Sequence, residues 1–365
     1  MTEPPEQPAD SSGSQQAEFE KISGLVKNQF EVEEALVEHD VPTYYLKQPQ
    51  ETKQPFLNLL KSLEPMELIA VLRRVDERIV LRVVKKPQAR PSNVKINWIL
   101  FFATIVTTFL TGYMLSDGLV ANGTMPSPLV GGATFSAAIM IVLGMHEMGH
   151  KLTANRRNMD ATPPYFIPGP PPIGGSLGIG TFGAVIMQKS LPPNRDALFD
   201  IGANGPIVGF VLASIVAIIG LAISPVAVPT GNENFLATPL IFEVFLTFII
   251  RPPAGSVIML HPVAFAGWVG MFVTMLNLLP AAMLDGGHVT KSLFGEKTRM
   301  VLTALSILYL IAINSYVMAI FVLFLSMFRH PGPLDDVSGL SGSRKLAALG
   351  LAAIFVLCSF PLFGF

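Results

Sequence analysis

The chain has 365 residues, half of them hydrophobic and only 14% charged, against about 25% charged in an ordinary soluble domain. With a net charge of −1, a mean hydropathy of +0.51 and one cysteine, Cys358, it is not a disordered chain, a collagen or a disulfide scaffold. Nor is there an electrostatic case for nucleic-acid binding. The charge is uneven: residues 1–95 hold 28 of the 51 charged side chains. The front therefore reads as soluble and the remainder as a membrane domain.

In chain order, residues 1–16 are acidic and rich in Pro and Ser. They lack a basic, then apolar, leader pattern and read as a disordered tail rather than a signal or transit peptide. Residues 17–90 suit a small soluble α/β domain. Glu18–Gln29 and Pro55–Leu63 carry helical spacing of apolar residues, and Leu68–Leu72 and Ile79–Val84 flank Asp76-Glu77 as a strand pair. The rest, 91–365, contains six apolar stretches near the length a bilayer requires: 96–115, 131–154, 203–223, 261–280, 300–328 and 345–365. The fifth has Asn314-Ser315 in its middle, where a bend or break is expected. Phe235–Ile250 is too short to cross and is expected to be re-entrant or interfacial.

The cationic residues orient these stretches. Lys85, Lys86, Arg90 and Lys95 precede the first, and loop 116–130 has no Lys or Arg. Lys151, Arg156, Arg157, Lys189 and Arg195 follow the second, loop 224–260 has only Arg251, and Lys291, Lys297 and Arg299 follow the fourth. By the positive-inside rule the amino-terminal domain is cytoplasmic, and the second and fourth stretches end on that same side. Arg329, Arg344 and Lys345 break the alternation near the last two stretches.

The second stretch ends in His146-Glu147-Met148-Gly149-His150. On a helix, positions i and i+4 share a face, so both imidazoles can bind one zinc ion, and Glu147 beside them can take the proton of an attacking water. A charged or strongly polar group at membrane depth costs about 3 kcal/mol, so three such groups in five positions need a use or partners. A catalytic zinc takes a third protein ligand and keeps an open position. The candidates are His261, His288, Asp285 and Glu243. Asp285 is favoured because it follows the fourth stretch, on the side where the His pair lies, in Asn277-Leu-Leu-Pro-Ala-Ala-Met-Leu-Asp285-Gly-Gly-His288. His288 is the runner-up, with a hydrogen-bonded loop histidine as its simpler reading.

HEMGH on one membrane helix and NLLPAAMLDGGH after a later one resemble the site-2 protease family of intramembrane zinc metalloproteases. Residues 180–183 with the following AVIM, and FDIGANGPIVGF at 199–210, resemble it too. The form, with a front domain and no recognisable PDZ domain, is similar to the archaeal, cyanobacterial and chloroplast branch. The resemblance implies an α-helical multi-pass fold with about six transmembrane helices. It implies one Zn²⁺ held by His146, His150 and Asp285, Glu147 as general base, and Asn277 on substrate backbone or the oxyanion. The implied partners are a transmembrane protein substrate and the lipid bilayer, with no nucleic acid.

Between the second and third stretches, Pro and Gly rule out continuous helix, and LGIGTFGAVIMQ has strand propensity. A membrane-associated strand or hairpin is expected there, with Gly180, Thr181, Phe182 and Gly183 binding an unwound substrate along its edge; a plain packed loop is the alternative. Asn204-Gly205-Pro206 reads as helix packing. Two other readings compete: a metal-binding membrane transporter, and a catalytically silent membrane scaffold acting through the front domain. Lacking a transit signal, the chain is expected in a prokaryotic cell membrane.

Overall fold

The computed structural model of the chain describes residues 11–88, 92–173, 178–229, 236–328 and 330–359, without the side chains of 11–15. The chain divides into two compact units. The first comprises residues 1–89, 191–195 and 332–339, and the second the remainder.

The first unit is α/β. Helix α1 (Ser11–Lys27) is followed by strands β1 (Val32–Glu38) and β2 (Val41–Leu46), helix α2 (Lys53–Leu63), and strands β3 (Leu68–Val75) and β4 (Arg78–Lys85). The helix is described from Ser11, inside the stretch expected to be a tail, and residues 1–10 lie outside the described residues. All four strands form one antiparallel sheet in the order β1-β2-β4-β3. The β3/β4 pair was expected; the β1/β2 hairpin was not. Both hairpins turn on two residues with positive φ, His39-Asp40 and Asp76-Glu77, the twist that suits a two-residue connection. Tyr44, Phe56, Leu59, Leu63, Leu72 and Leu81 are fully buried between helices and sheet.

Two later stretches of chain complete this unit. The Leu72 amide donates to the Leu334 carbonyl at 2.9 Å, and the Asp336 amide to the Leu72 carbonyl at 3.2 Å. Leu334 and Asp335 in turn donate to the carbonyls of Pro192 and Pro193. The β3 edge is thus paired at Leu72, which shortens the run of backbone it offers to another chain.

The second unit is mainly helical. It holds α3 (Val94–Leu115), α4 (Asp117–Ala121), α5 (Pro128–Arg156), strands β5 (Tyr165–Pro168) and β6 (Thr181–Val185), and α6 (Arg195–Ala222). Then follow β7 (Val226–Ala227), α7 (Leu240–Val244), β8 (Val257–Ile258), α8 (Pro262–Leu278), α9 (Asp285–Phe294), α10 (Glu296–Ala312), α11 (Tyr316–Ser326) and α12 (Gly342–Cys358). Among the described residues α3, α5 and α6 are long and apolar enough to cross a membrane.

The remaining expected spans are shorter. α8 has 17 residues, about 26 Å at 1.5 Å each. The stretch 300–328 is broken into α10 and α11 at Asn314, whose φ is +59°. α12 is described through Cys358, and 360–365 lie outside the described residues, as does Phe235 at the start of the short run 235–250. That run forms α7 and a wider helical turn, Phe245–Ile250.

Small residues let the long helices meet. A Cβ on Gly131 would stand within 3 Å of the Ser116 side chain, and one on Gly112 would meet the Gly131 carbonyl oxygen at 2.5 Å. β5 and β6 pair antiparallel, Tyr165 opposite Val185 and Phe166 opposite Ala184, with an irregularity before Pro168. This is the expected hairpin segment, although Gly174–Leu177 between its strands lie outside the described residues.

Candidate metal centre

α5 carries His146, Glu147 and His150, all buried, on neighbouring turns. Each offers a donor atom within 4.8 Å of the others. Asp285, the first residue of α9, joins them from 135 positions further along the chain. Its Oδ2 stands 3.3 Å from His146 Nε2 and 3.3 Å from His150 Nε2. Glu147 Oε1 is farther from His146 Nε2, at 4.0 Å. Two imidazole nitrogens and a carboxylate oxygen are the donor types zinc takes. Tetrahedral bonds of about 2.05 Å put neighbouring donors about 3.3 Å apart, so the spacing of Asp285 from the two imidazoles fits one such ion, and Glu147 stands farther off.

The chain bends sharply to deliver Asp285. α8 ends at Leu278, Ala282 takes a positive φ of +47°, and α9 begins three residues later. Gly286 is obligatory in this turn: a Cβ there would lie 2.1 Å from the Leu278 carbonyl oxygen. Arg299 secures the bend, donating to the Ala282 carbonyl at 2.9 Å, and Thr303 Oγ1 accepts the Ala282 amide at 3.1 Å. Lys291 and Arg299 face Glu296, and the Arg299 hydrogen bond chiefly holds its carboxyl down to about 2.

The imidazoles are held by α6. His150 Nδ1 lies 2.8 Å from the Ile201 carbonyl oxygen, which can only accept, so Nδ1 carries the proton and Nε2 is left as the donor facing Asp285. A Cβ on Gly205 would fall 2.1 Å from His150 Nε2, and one on Gly209 2.7 Å from His146 Nδ1. Asn204 Nδ2 donates to Thr153 Oγ1 at 2.8 Å, tying α6 to α5. The helix packing expected of Asn204-Gly205-Pro206 is present, since a Cβ on Gly149 of α5 would stand 2.9 Å from the Asn204 carbonyl oxygen and 3.2 Å from Gly205 Cα; the imidazole rings share that contact. The Ile201 carbonyl had no sequence signal, being a backbone atom.

The other expected residues fall as follows. Asn277 Nδ2 lies 3.2 Å from His146 Nε2. His288 is not among the donors; its Nδ1 is 2.8 Å from His330 Nε2, and burial holds both rings well below the usual histidine range. His261 caps α8, its Nδ1 accepting the Val263 amide, and Glu243 accepts from Thr238. Thr181 is buried and its hydroxyl donates to the Ile167 carbonyl at 2.8 Å, an internal contact. Gly180, at φ +74°, packs on α3, where Thr107 Oγ1 donates to its carbonyl at 2.6 Å. Phe182 is 71% exposed, and a Cβ on Gly183 would meet nothing within 4 Å. Just beyond β6, the Ile186 backbone comes near the Glu147 carboxylate, so this strand runs toward the site.

A family model described as Peptidase family M50 matches residues 134–325, which contain every one of these donors. The chain is 33% identical over 227 residues to a probable zinc metalloprotease, EGY2, of Arabidopsis thaliana, covering 59% of this chain and 39% of that protein. It is 29% identical over 238 residues to a probable zinc metalloprotease, EGY1, of Oryza sativa subsp. japonica, covering 61% and 40%. To the probable zinc metallopeptidase EGY3 of Arabidopsis thaliana it is 28% identical over 280 residues, covering 69% and 42%. The chain thus spans about two fifths of the length of these relatives. All three are described as chloroplastic, and the comparisons do not support the prokaryotic cell membrane expected from the sequence. No solved structure matches the chain.

Proposed function

The chain belongs to peptidase family M50, and from that premise we propose that it is a zinc metalloprotease that hydrolyses peptide bonds in or near the transmembrane segments of membrane-protein substrates. The observation that carries this reading is the meeting of Asp285 with His146 and His150 at a common 3.3 Å. A transport path would instead need such groups repeated across the bilayer.

His146, His150 and Asp285 would hold the ion. Zinc, when bound, supplies Lewis acidity toward a carbonyl and makes water easier to deprotonate. Glu147 takes the proton as the water oxygen adds to the scissile carbonyl carbon, and returns it to the amide nitrogen as the C–N bond breaks. Asn277, its amide facing the same space, positions substrate backbone or steadies the developing negative charge. A helical substrate hides its carbonyls, so it must unwind; the stretch of β6 at the exposed Phe182 and half-buried Gly183 is the edge along which the unwound segment pairs, leading toward Glu147.

Six crossings follow if α8, the α10–α11 pair and α12 also span. The charge distribution then places the first unit on the Lys/Arg-rich side.

Replacing Glu147 with Gln leaves the three donors intact. It is expected to keep the zinc and lower cleavage of a transmembrane substrate by about 10²- to 10⁴-fold. Cleavage by Glu147→Gln at the wild-type rate would remove Glu147 from the chemistry.

A further inference from the structure

A network of charges joins α5, α6 and α12, and the hydrolytic chemistry makes no use of it. Arg344, in the first turn of α12, grips Asp200 with a two-pronged bond, Nε to Oδ1 at 2.7 Å and Nη2 to Oδ2 at 2.8 Å. Its third nitrogen, Nη1, reaches Asp196 Oδ2 at 3.1 Å. Ser341 donates to the Asp196 carboxylate from its amide at 3.0 Å and its hydroxyl at 2.5 Å. Arg157, where α5 ends, pairs with Asp200 from the other side. The Arg344 and Asp200 side chains are only 20% and 18% exposed, so solvent screens this pair far less than a surface ion pair.

Asp200 immediately precedes Ile201, whose carbonyl accepts the hydrogen bond from His150 Nδ1. The face of α6 toward the site is made of Gly202, Gly205 and Gly209, which a Cβ would drive into the Asp285 carbonyl oxygen, His150 and His146 respectively. A glycine face has no side chain that can readjust. Any slide or roll of α6 passes undiminished into the Ile201–His150 bond, so the helix must be held at its end.

We propose that Arg344 is a positioning residue of the metal centre. Its fork on Asp200 sets the register of the first turns of α6, so that the Ile201 carbonyl meets His150 Nδ1 and His150 Nε2 faces Asp285 Oδ2, with which it would hold the ion. This inference rests on the metalloprotease reading. A planar fork fixes orientation as well as distance, which a lysine ammonium cannot do. Lysine at 344 keeps the charge and loses the register.

The test is a Co²⁺ titration of the purified, metal-stripped full chain in detergent, following the visible d–d band that reports ligand geometry. Arg344→Met is expected to bind Co²⁺ about tenfold more weakly than wild type with an altered band, and Arg344→Lys to fall between, also with an altered band. Arg82→Met, which removes an exposed 3.2 Å pair with Glu38 in the first unit, should match wild type. Folded Arg344→Met with wild-type affinity and band would overturn the proposal. Should Arg344→Met fail to fold, Arg344→Lys decides: an unchanged affinity and band overturns it, and a weakened affinity with a changed band supports it. Wild type that takes up no Co²⁺ would instead sink the metalloprotease reading, and this proposal with it.

Discussion

Replacing Gly205 with Ala tests the metal centre through a residue that donates nothing to the ion. The new Cβ would stand 2.1 Å from His150 Nε2, 2.3 Å from Cε1 and 2.6 Å from Cδ2. Ordinary carbon–nitrogen contact is about 3.4 Å, so the ring or the helix must yield by about 1.3 Å. The ring has little room for this. Nδ1 is tied to Ile201 at 2.8 Å, and Nε2 must stay near 3.3 Å from Asp285 Oδ2. A misplacement of about 1 Å at a reacting centre costs about 10²-fold in rate, and disturbed ligand orientation about 10- to 100-fold in metal affinity. Overpacking adds about 1–3 kcal/mol of instability. The assay pairs zinc content by atomic emission with cleavage of a transmembrane substrate, beside thermal unfolding. Gly209→Ala, whose nearest contact is 2.7 Å from His146 Nδ1, should be milder, and Gly118→Ala, with nothing within 4 Å, close to wild type. Gly205→Ala with a full complement of zinc and wild-type cleavage would refute the placement of α6 against the imidazoles.

Three further outcomes are expected. A strong chelator should abolish cleavage and added Zn²⁺ restore it; activity that survives verified metal removal would contradict the donor set. Phe182→Pro, at a β6 position outside the β5 register, should retain zinc yet slow cleavage about tenfold, the worth of about one main-chain hydrogen bond. An unchanged rate would count against edge pairing. Asp335→Ala strips the fully buried carboxylate that accepts the Val337 and Ser338 amides at 2.9 Å each, so the first unit should lose about 2–4 kcal/mol. Hydrogen exchange at the Leu72 amide, bonded to Leu334, should quicken accordingly, and undisturbed exchange would show that the 332–339 segment adds nothing to the sheet.

What could be read in advance from the residues follows a physical division. Long apolar helices and the spacing of His146 and His150 are local, so periodicity exposes them, and Asp285 was reachable because the charges oriented its loop. The β1/β2 hairpin escaped because β1 is an edge strand whose exposed glutamates spoil the expected alternation, and because its turn uses His39-Asp40 where a glycine would have marked it. The annexed stretches 191–195 and 332–339 pair through backbone amides, and no local pattern specifies a partner more than a hundred residues away. The same blindness covers the support of the metal centre. An imidazole donor must be a histidine, whereas the Ile201 carbonyl that orients it could be supplied by any residue. Its only trace is negative: Gly202, Gly205 and Gly209 fall on one face of a helix otherwise rich in bulky side chains. Such a face means that something rigid passes close. Helix packing accounts for part of it, through Gly149 of α5, and only the distances show that His150, His146 and the Asp285 carbonyl oxygen lie against the three glycines.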